Sequence, residues 1–148
     1  MARQMIHHRT KEFEHYFEKM NEGLKKVFQT QNPVLTLVSS GTCGMEAAVV
    51  NAFSPGDKVL VASTGVFGDR FVKIASRFGL DVQVISVPWG HGVDPREIED
   101  FLNGPKGEGV KGVFVTHNET STGVANDLEG IGRLLNDRDC LFIVDAIS

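Results

Sequence analysis

The sequence has few cysteines, no cluster of basic residues and no long apolar run, and each shortage excludes a class of protein. Cys43 and Cys140 are the only cysteines in 148 residues, so a disulfide framework is excluded and a reducing cytosol is favoured. The formal charge is -4 and Lys and Arg are dispersed, which argues against nucleic acid or an anionic membrane as partner. No apolar stretch approaches membrane-spanning length and no signal-peptide core is visible. We therefore expect a cytoplasmic protein.

Short apolar runs alternate with helical patterns along the chain. Residues 34–38 form a short run that is apolar except for Thr36 and rich in β-branched side chains. This run predicts a strand buried on both faces. Further strands are predicted over residues 58–62, 82–87, 112–116 and 141–145. Helices are predicted over residues 11–29, 45–53, about 70–78, 95–103 and 127–136. This alternation predicts an α/β fold, a mostly parallel sheet sandwiched by helices.

Polar turns follow the predicted strands at their carboxyl ends. Ser40, Gly65, Asn118 and Asp145 each lie in such a turn or at its start. Ligands of open parallel sheets bind beyond the carboxyl ends of the strands. These four turns are therefore expected to converge on one crevice.

The turn from Ser39 to Glu46 is a candidate anion site. It joins the first predicted strand to a predicted helix, and a helix N-terminus offers free backbone N–H groups and partial positive charge. Gly41 permits close approach of the backbone, while the hydroxyls of Ser40 and Thr42 can donate hydrogen bonds. The plainer interpretation, that these residues only cap the helix, stays open at this point. The P-loop and Rossmann glycine motifs are absent from this turn.

Asp145 ends the apolar run 141–144 and is the most informative single residue. A carboxylate at the mouth of a buried strand requires a cationic or hydrogen-bonding partner. It could cap a helix, form a structural ion pair, bind a metal or neutralise a cationic ring nitrogen. A metal is disfavoured because the neighbouring turns offer hydroxyls, amides and one glutamate, and because His7 and His8 have no third ligand placed near them. We therefore predict no metal site.

Four motifs in the same order resemble those of class V aminotransferases, which are pyridoxal-phosphate enzymes of fold type I. They are residues 40–48, 65–70, 116–124 and 144–148, and the lead-in around residues 8–13 is also similar. The resemblance is strongest to the alanine–glyoxylate and serine–pyruvate aminotransferase group. It implies transfer of an amino group between a small amino acid and a 2-oxo acid such as glyoxylate or pyruvate, by a homodimer. It also implies an aspartate-aminotransferase-like large domain, with a lead-in and helix over residues 1–30 and the N-terminal part of that domain over residues 31–148.

The resemblance also implies a role for each residue of the predicted site. The cofactor phosphate would be held by Ser40, Gly41 and Thr42. Phe67 would stack on the pyridine ring, although an ordinary core aromatic is the alternative, and Ile147 would pack on the other ring face. Thr120 would hydrogen-bond the ring's 3-oxygen or its neighbours. Asp145 would pair with the pyridinium nitrogen and is the expected catalytic residue.

The lysine that family members link to the cofactor as a Schiff base lies downstream of the aspartate, beyond Ser148. The arginine that holds the substrate carboxylate in relatives also lies in a later domain. We therefore expect a fragment or one half of a split enzyme, inactive alone. A non-catalytic phosphate-binding scaffold and a cysteine-desulfurase-like enzyme are the alternatives, the latter weakened because Thr42 stands where a histidine is expected.

Overall fold

The structure, a computed structural model, describes residues 4–148, and the chain divides into two compact units, Met1–Val38 and Ser39–Ser148. The first unit contains helix α1, Lys11–Val27, which confirms the predicted amphipathic helix. Thr10 caps it, because its Oγ1 accepts a hydrogen bond from the backbone N–H of Phe13 at 3.3 Å. The expected division into residues 1–30 and 31–148 stays a prediction.

The strand predicted over residues 34–38 is wrong. This segment has no strand hydrogen bonding, and Leu35 and Val38 are among its exposed side chains. A run of apolar, β-branched residues becomes a strand only where a sheet edge is available to pair with it. The first unit has no sheet in its described part, so the segment stays unpaired.

The second unit is an α/β structure with every remaining helix and strand. Its elements are α2 (Gly41–Ala52), β1 (Lys58–Ser63), α3 (Val66–Arg77), β2 (Asp81–Ser86), α4 (Pro95–Asn103), β3 (Val110–Thr116), β4 (Asn118–Glu119), β5 (Val124–Ala125), α5 (Leu128–Leu135) and β6 (Leu141–Asp145). Four parallel strands form one sheet in the order β2-β1-β3-β6, and β4 and β5 form a small antiparallel hairpin. This confirms the predicted α/β fold with a parallel sheet flanked by helices. Among the described residues, none of these helices has both the length and the apolar composition needed to cross a membrane.

Helices cover both faces of the sheet, and side chains alternate between them with the strand period of two. Leu60 and Val113 face α4 and α5, where Ile98 and Ile131 complete one buried cluster. The opposite face packs on α2 and α3. Its buried cluster contains Met45, Val49, Phe53, Val59, Val61, Phe71, Ala75, Leu80 and Phe114. The central strands are thus buried on both sides, as their continuous apolar runs predicted.

Glu119 has a buried carboxylate that caps α3. Its Oε2 accepts hydrogen bonds from the backbone N–H groups of Phe67 and Gly68, both at 3.1 Å, and its Oε1 accepts one from Ser121 Oγ at 2.5 Å. The side chain is fully buried. A β-carbon at Gly65 would lie 2.6 Å from the Glu119 side chain, so glycine is required there for the carboxylate to reach the helix. The hairpin of β4 and β5 is thereby fixed to the start of α3.

We predict that Glu119→Ala lowers the free energy of unfolding of the purified protein by about 2 to 3 kcal/mol, because two buried N–H groups lose a charged acceptor. Urea unfolding followed by circular dichroism measures this loss. Glu129→Ala is the matched control. Glu129 pairs with Arg133 on an exposed face of α5, and its loss should cost less than about 0.5 kcal/mol. Equal losses in the two variants would contradict the capping role.

Candidate functional site

A cavity of about 290 Å³ opens at the carboxyl ends of β3 and β6, where the sequence predicted a crevice. All seven predicted site residues line it: Ser40, Gly41, Thr42, Phe67, Thr120, Asp145 and Ile147. Met45, Arg70, Thr116, Asn118 and Ser148 complete the lining. Gly65 does not take part, because it packs against Glu119 instead. The structure thus brings the predicted residues together, and their individual roles stay predictions.

Helix α2 presents an uncapped N-terminus to this cavity. The helix begins at Gly41, earlier than the sequence predicted, and Ser40 occupies the N-cap position without a side-chain capping bond. The backbone N–H groups of Cys43 and Gly44 are bonded to the carbonyl of Ser40, at 3.0 and 3.3 Å. The N–H groups of Gly41 and Thr42 have no acceptor among residues 4–148, and the first turn has no acidic side chain. The plain capping interpretation of Ser40 therefore has no support.

The N-terminus of α3 lies at the same end of the sheet but differs in charge. The N–H groups of Phe67 and Gly68 are bonded to the carboxylate of Glu119, and the N–H of Val66 is bonded to Ser121 Oγ. A helix N-terminus attracts an anion through its free donors and its partial positive charge. Because Glu119 supplies that anion for α3, α2 is the terminus of this pair that can accept an anion from outside.

Gly41 has a second reason to be glycine. A β-carbon there would collide with the Cδ1 atom of Ile147. Ile147 lies two residues beyond β6 and is largely exposed. The missing side chain therefore lets Ile147 approach the first turn of α2, so that both residues line the same wall of the cavity.

Asp145 is buried at the end of β6, and its carboxylate keeps most of its hydrogen-bonding capacity. Oδ1 accepts one bond, from the backbone N–H of Ile147 at 3.2 Å. No Lys, Arg or His of the described chain forms an ion pair with it. The structural ion pair considered for Asp145 is therefore absent from residues 4–148. A buried carboxylate with free lone pairs facing a cavity is suited to a cationic ligand group.

Thr116 is a site residue that the sequence analysis missed. It pairs in register with Asp145 and therefore lies beside it on the same face of the sheet. The residue is almost fully buried, and its Oγ1 atom has no hydrogen-bond partner within residues 4–148. An unpaired buried hydroxyl costs about 1 to 3 kcal/mol, which a polar ligand in the cavity would offset. Its place at the last position of a strand that ends at the crevice was the available signal.

Asn126 is a second residue that the sequence analysis missed. It is not among the cavity-lining residues, but it bonds to the backbone of Thr116, which is. Its amide nitrogen donates to Thr64 Oγ1 at 3.1 Å and to the carbonyl of Thr116 at 2.8 Å, while its oxygen accepts from the N–H of Val93 at 2.9 Å. These bonds join β3 to the segments that follow β1 and β2. Asn126 thereby fixes the backbone that carries the Thr116 hydroxyl.

The charges that line the cavity are of opposite sign and lie on different elements. Among the described lining residues, Arg70 of α3 is the cation and Asp145 of β6 is the anion. Arg70 Nη1 donates to Thr42 Oγ1 at 2.8 Å, which places the positive group next to the start of α2. No lysine of residues 4–148 lines the cavity. The site therefore suits a ligand that has both an anionic group and a cationic group.

A protein-family model and curated relatives match this chain over all or nearly all of its length. The family model "Aminotransferase class-V" matches residues 1–148. The chain is 43% identical to the soluble hydrogenase small subunit of Synechococcus sp. (strain PCC 6716), over 100% of this chain and 39% of that protein. It is 41% identical to the L-aspartate–glyoxylate aminotransferase of Paracoccus denitrificans, over 97% of this chain and 37% of the relative.

A solved structure shows the same architecture. The alanine–glyoxylate aminotransferase of Nostoc sp. superposes with a TM-score of 0.85 at 36% identity, covering 94% of this chain and 36% of that one. The chain spans well under half of the length of each of these three relatives. The family model covers the whole chain, and aminotransferases are similar to it in both sequence and structure. The chain therefore belongs to the class-V aminotransferase family.

Proposed function

We propose that the protein is a pyridoxal-phosphate-dependent aminotransferase that moves an amino group between a small amino acid, of the alanine or serine type, and a 2-oxo acid such as glyoxylate or pyruvate. The observation that carries this proposal is the charge arrangement of the cavity. The free N-terminus of α2 lies at one part of its wall and the carboxylate of Asp145 at another. Pyridoxal phosphate has a matching anionic phosphate and a ring nitrogen that can be protonated.

Ser40, Gly41 and Thr42 are proposed to hold the phosphate. The two free N–H groups of α2 would donate to its oxygens, and the hydroxyls of Ser40 and Thr42 would add two further donors. The positive end of the helix would stabilise the negative charge. This set of donors matches a phosphate better than it matches a carboxylate, which has fewer oxygens to satisfy.

Asp145 is proposed to keep a proton on the ring nitrogen. Its carboxylate is buried and has one hydrogen bond, so an N–H donor from the ring would complete its partners. When bound, pyridoxal phosphate acts as an electron sink for the carbon that bears the substrate amino group, and this capacity depends on the protonated ring. Asp145 thereby supplies the charge that the chemistry requires.

The remaining lining residues are proposed to orient the ring. Phe67 and Ile147 would form the flat apolar walls, and Thr120 would hydrogen-bond the ring's 3-oxygen or a neighbouring atom. Thr116 lies beside Asp145 and has an unused hydroxyl for the same purpose. The cavity lining thus contains donors for an anion, groups suited to a ring and an acceptor for a cation.

The chain covers 34 to 39% of the length of eight curated relatives. We propose that the activity also depends on parts that correspond to the rest of these relatives. We place the lysine that links to the cofactor and the arginine that binds the substrate carboxylate in those parts. We further propose a cytoplasmic homodimer. A non-catalytic scaffold is the second candidate, favoured for this chain alone by the absence of a lysine from the described cavity wall.

The experiment that separates the two candidates is an intact-mass measurement after incubation with pyridoxal phosphate and reduction with borohydride. We expect one covalently fixed cofactor per polypeptide, on a polypeptide longer than 148 residues. A protein of the mass of this chain without an adduct would support the scaffold. An adduct on a protein of this mass would contradict our placement of the lysine, and peptide mapping would then identify the residue.

Asp145→Asn should weaken pyridoxal phosphate binding tenfold to a hundredfold, roughly the loss of one charge-assisted hydrogen bond. It should also alter the absorption spectrum of the bound cofactor, because the ring nitrogen loses its counter-charge. Equilibrium dialysis and absorbance titration measure both effects. Asp139→Asn is the control, since Asp139 is exposed and precedes the other end of β6. Unchanged affinity and spectrum in Asp145→Asn would refute the role of Asp145.

Ser40→Ala should weaken pyridoxal phosphate binding about threefold to tenfold, in keeping with the loss of one hydroxyl donor. Its effect on binding of pyridoxal, which lacks the phosphate, should be small. Ser39→Ala is the matched control, because Ser39 is the exposed neighbour and does not line the cavity. If Ser40→Ala weakens both ligands equally, Ser40 does not contact the phosphate.

A further inference from the structure

Arg70 joins two walls of the cavity and has no role in the function described so far. It lies on α3, one turn after Phe67, and is half-buried. Its Nη1 atom donates to Thr42 Oγ1 at 2.8 Å, and its Cζ atom lies 4.8 Å from the centroid of the Phe67 ring. No Asp or Glu of the described chain forms a salt bridge with it. A half-buried guanidinium is thus committed to a hydroxyl and an aromatic ring.

We propose that Arg70 is a positioning residue that aims the hydroxyl proton of Thr42 at the anion bound by α2. The proposal rests on the proposed function, in which Thr42 holds a phosphate. A guanidinium has only donors, so the Thr42 oxygen must accept in this bond. The hydroxyl's own proton is then directed away from Arg70, and Thr42 also lines the cavity at the free end of α2. Arg70 thereby makes a hydroxyl that could either donate or accept act as a donor toward the anion.

Phe67 holds the guanidinium in the place where it can do this. Residues three apart on a helix lie on the same face, so the ring of Phe67 is a fixed platform for Arg70. A guanidinium over an aromatic face is attracted by the ring quadrupole, more strongly where water is excluded. The contact limits the freedom of a long side chain before any ligand binds. The line of contacts therefore runs from Phe67 to Arg70 to Thr42.

The guanidinium charge would also favour an anion without any contact through Thr42, and this alternative makes a different prediction. If Arg70 acts by charge alone, its removal weakens anion binding whether or not residue 42 has a hydroxyl. If it acts through the hydroxyl, its removal has no effect once the hydroxyl is gone. A double-mutant cycle separates the two cases.

The experiment uses the full protein and measures dissociation constants for pyridoxal phosphate and for inorganic phosphate. Thr42→Val removes the hydroxyl at similar volume, and Arg70→Gln removes the guanidinium. We expect each single variant to weaken binding about tenfold and the double variant to be no more than about threefold weaker than either, as for one shared interaction. Losses that multiply to about a hundredfold would overturn the proposal. Arg77→Gln, in the last turn of the same helix and outside the cavity lining, is the control and should bind like the unaltered protein.

Two further measurements exclude a merely structural effect. Arg70→Gln should leave binding of pyridoxal within about threefold of the unaltered protein, because pyridoxal has no phosphate for Thr42 to contact; a loss equal to that for pyridoxal phosphate would overturn the proposal. Arg70→Lys keeps the charge but lacks the planar guanidinium, so we expect it to bind pyridoxal phosphate as weakly as Arg70→Gln. Full rescue by lysine would show that charge alone acts. If Arg70→Gln does not fold, Arg70→Lys takes its place in the cycle.

The outcome for the unaltered protein separates this proposal from the proposed function. If it binds phosphate but not pyridoxal phosphate, the cofactor assignment fails, and the cycle measured with phosphate still supports or overturns the role of Arg70. If it binds neither, both proposals fail. If it binds both, the double-mutant cycle is measured with each ligand. We expect the two ligands to give the same coupling between Arg70 and Thr42.

Discussion

The carboxylate of Glu119 lies fully buried against the first turn of α3, where it accepts hydrogen bonds from two backbone N–H groups. The site depends on this contact in two ways. It supplies an anion to the N-terminus of α3. Of the two helices whose residues line the cavity, α2 and α3, this leaves the start of α2, at Gly41 and Thr42, with free N–H groups for an anion from outside. It also fixes the hairpin of β4 and β5 against α3, and the hairpin's start at Asn118 and the Thr120 that follows β4 form part of the cavity wall.

The alternation of side chains along the strands determines which residues reach the cavity. Phe114 and Ile143 face α2 and α3, and two positions further along each strand Thr116 and Asp145 lie on that same face. The apolar surface under the helices thus continues into a polar end without any change in register. A shift of β6 by one residue would turn Asp145 to the opposite face, toward α4 and α5. The position of the carboxylate is therefore a consequence of how the core packs.

Local signals in the sequence predicted most of the fold. Asp94 caps α4, with its Oδ1 accepting from the N–H of Arg96 at 2.9 Å, and Pro95 occupies the first turn, as the Asp-Pro pair predicted. The apolar runs of β1 and β3 were found because burial on both faces leaves a continuous signal, and β6 gave a similar signal although it is an edge strand with an exposed Leu141. The same signal failed at residues 34–38, where no sheet edge is present in the unit that contains them. An apolar run reports a tendency to be buried, and pairing is decided by the rest of the fold.

The residues of the candidate site likewise divide into those that a local sequence pattern predicted and those that it did not. Those in glycine-rich or strand-end motifs were predicted from the sequence and line one cavity. Glu119, Thr116 and Asn126 were missed, because what distinguishes them is a partner distant in sequence, or the lack of one. Glu119 contacts backbone about fifty residues away, and no local pattern indicates that a glutamate in a polar turn is buried.

The first turn of α3 connects these features into one mechanical unit. The N–H of Phe67 is held by Glu119, its ring supports Arg70, and Arg70 bonds to Thr42 at the start of α2. The buried carboxylate of Glu119, which does not line the cavity, is therefore linked by three successive contacts to the hydroxyl of Thr42, which does. The N-terminus of α3 has Glu119 as its acceptor, whereas that of α2 has none among residues 4–148. One line of contacts, through Phe67 and Arg70, nevertheless joins the two helix N-termini.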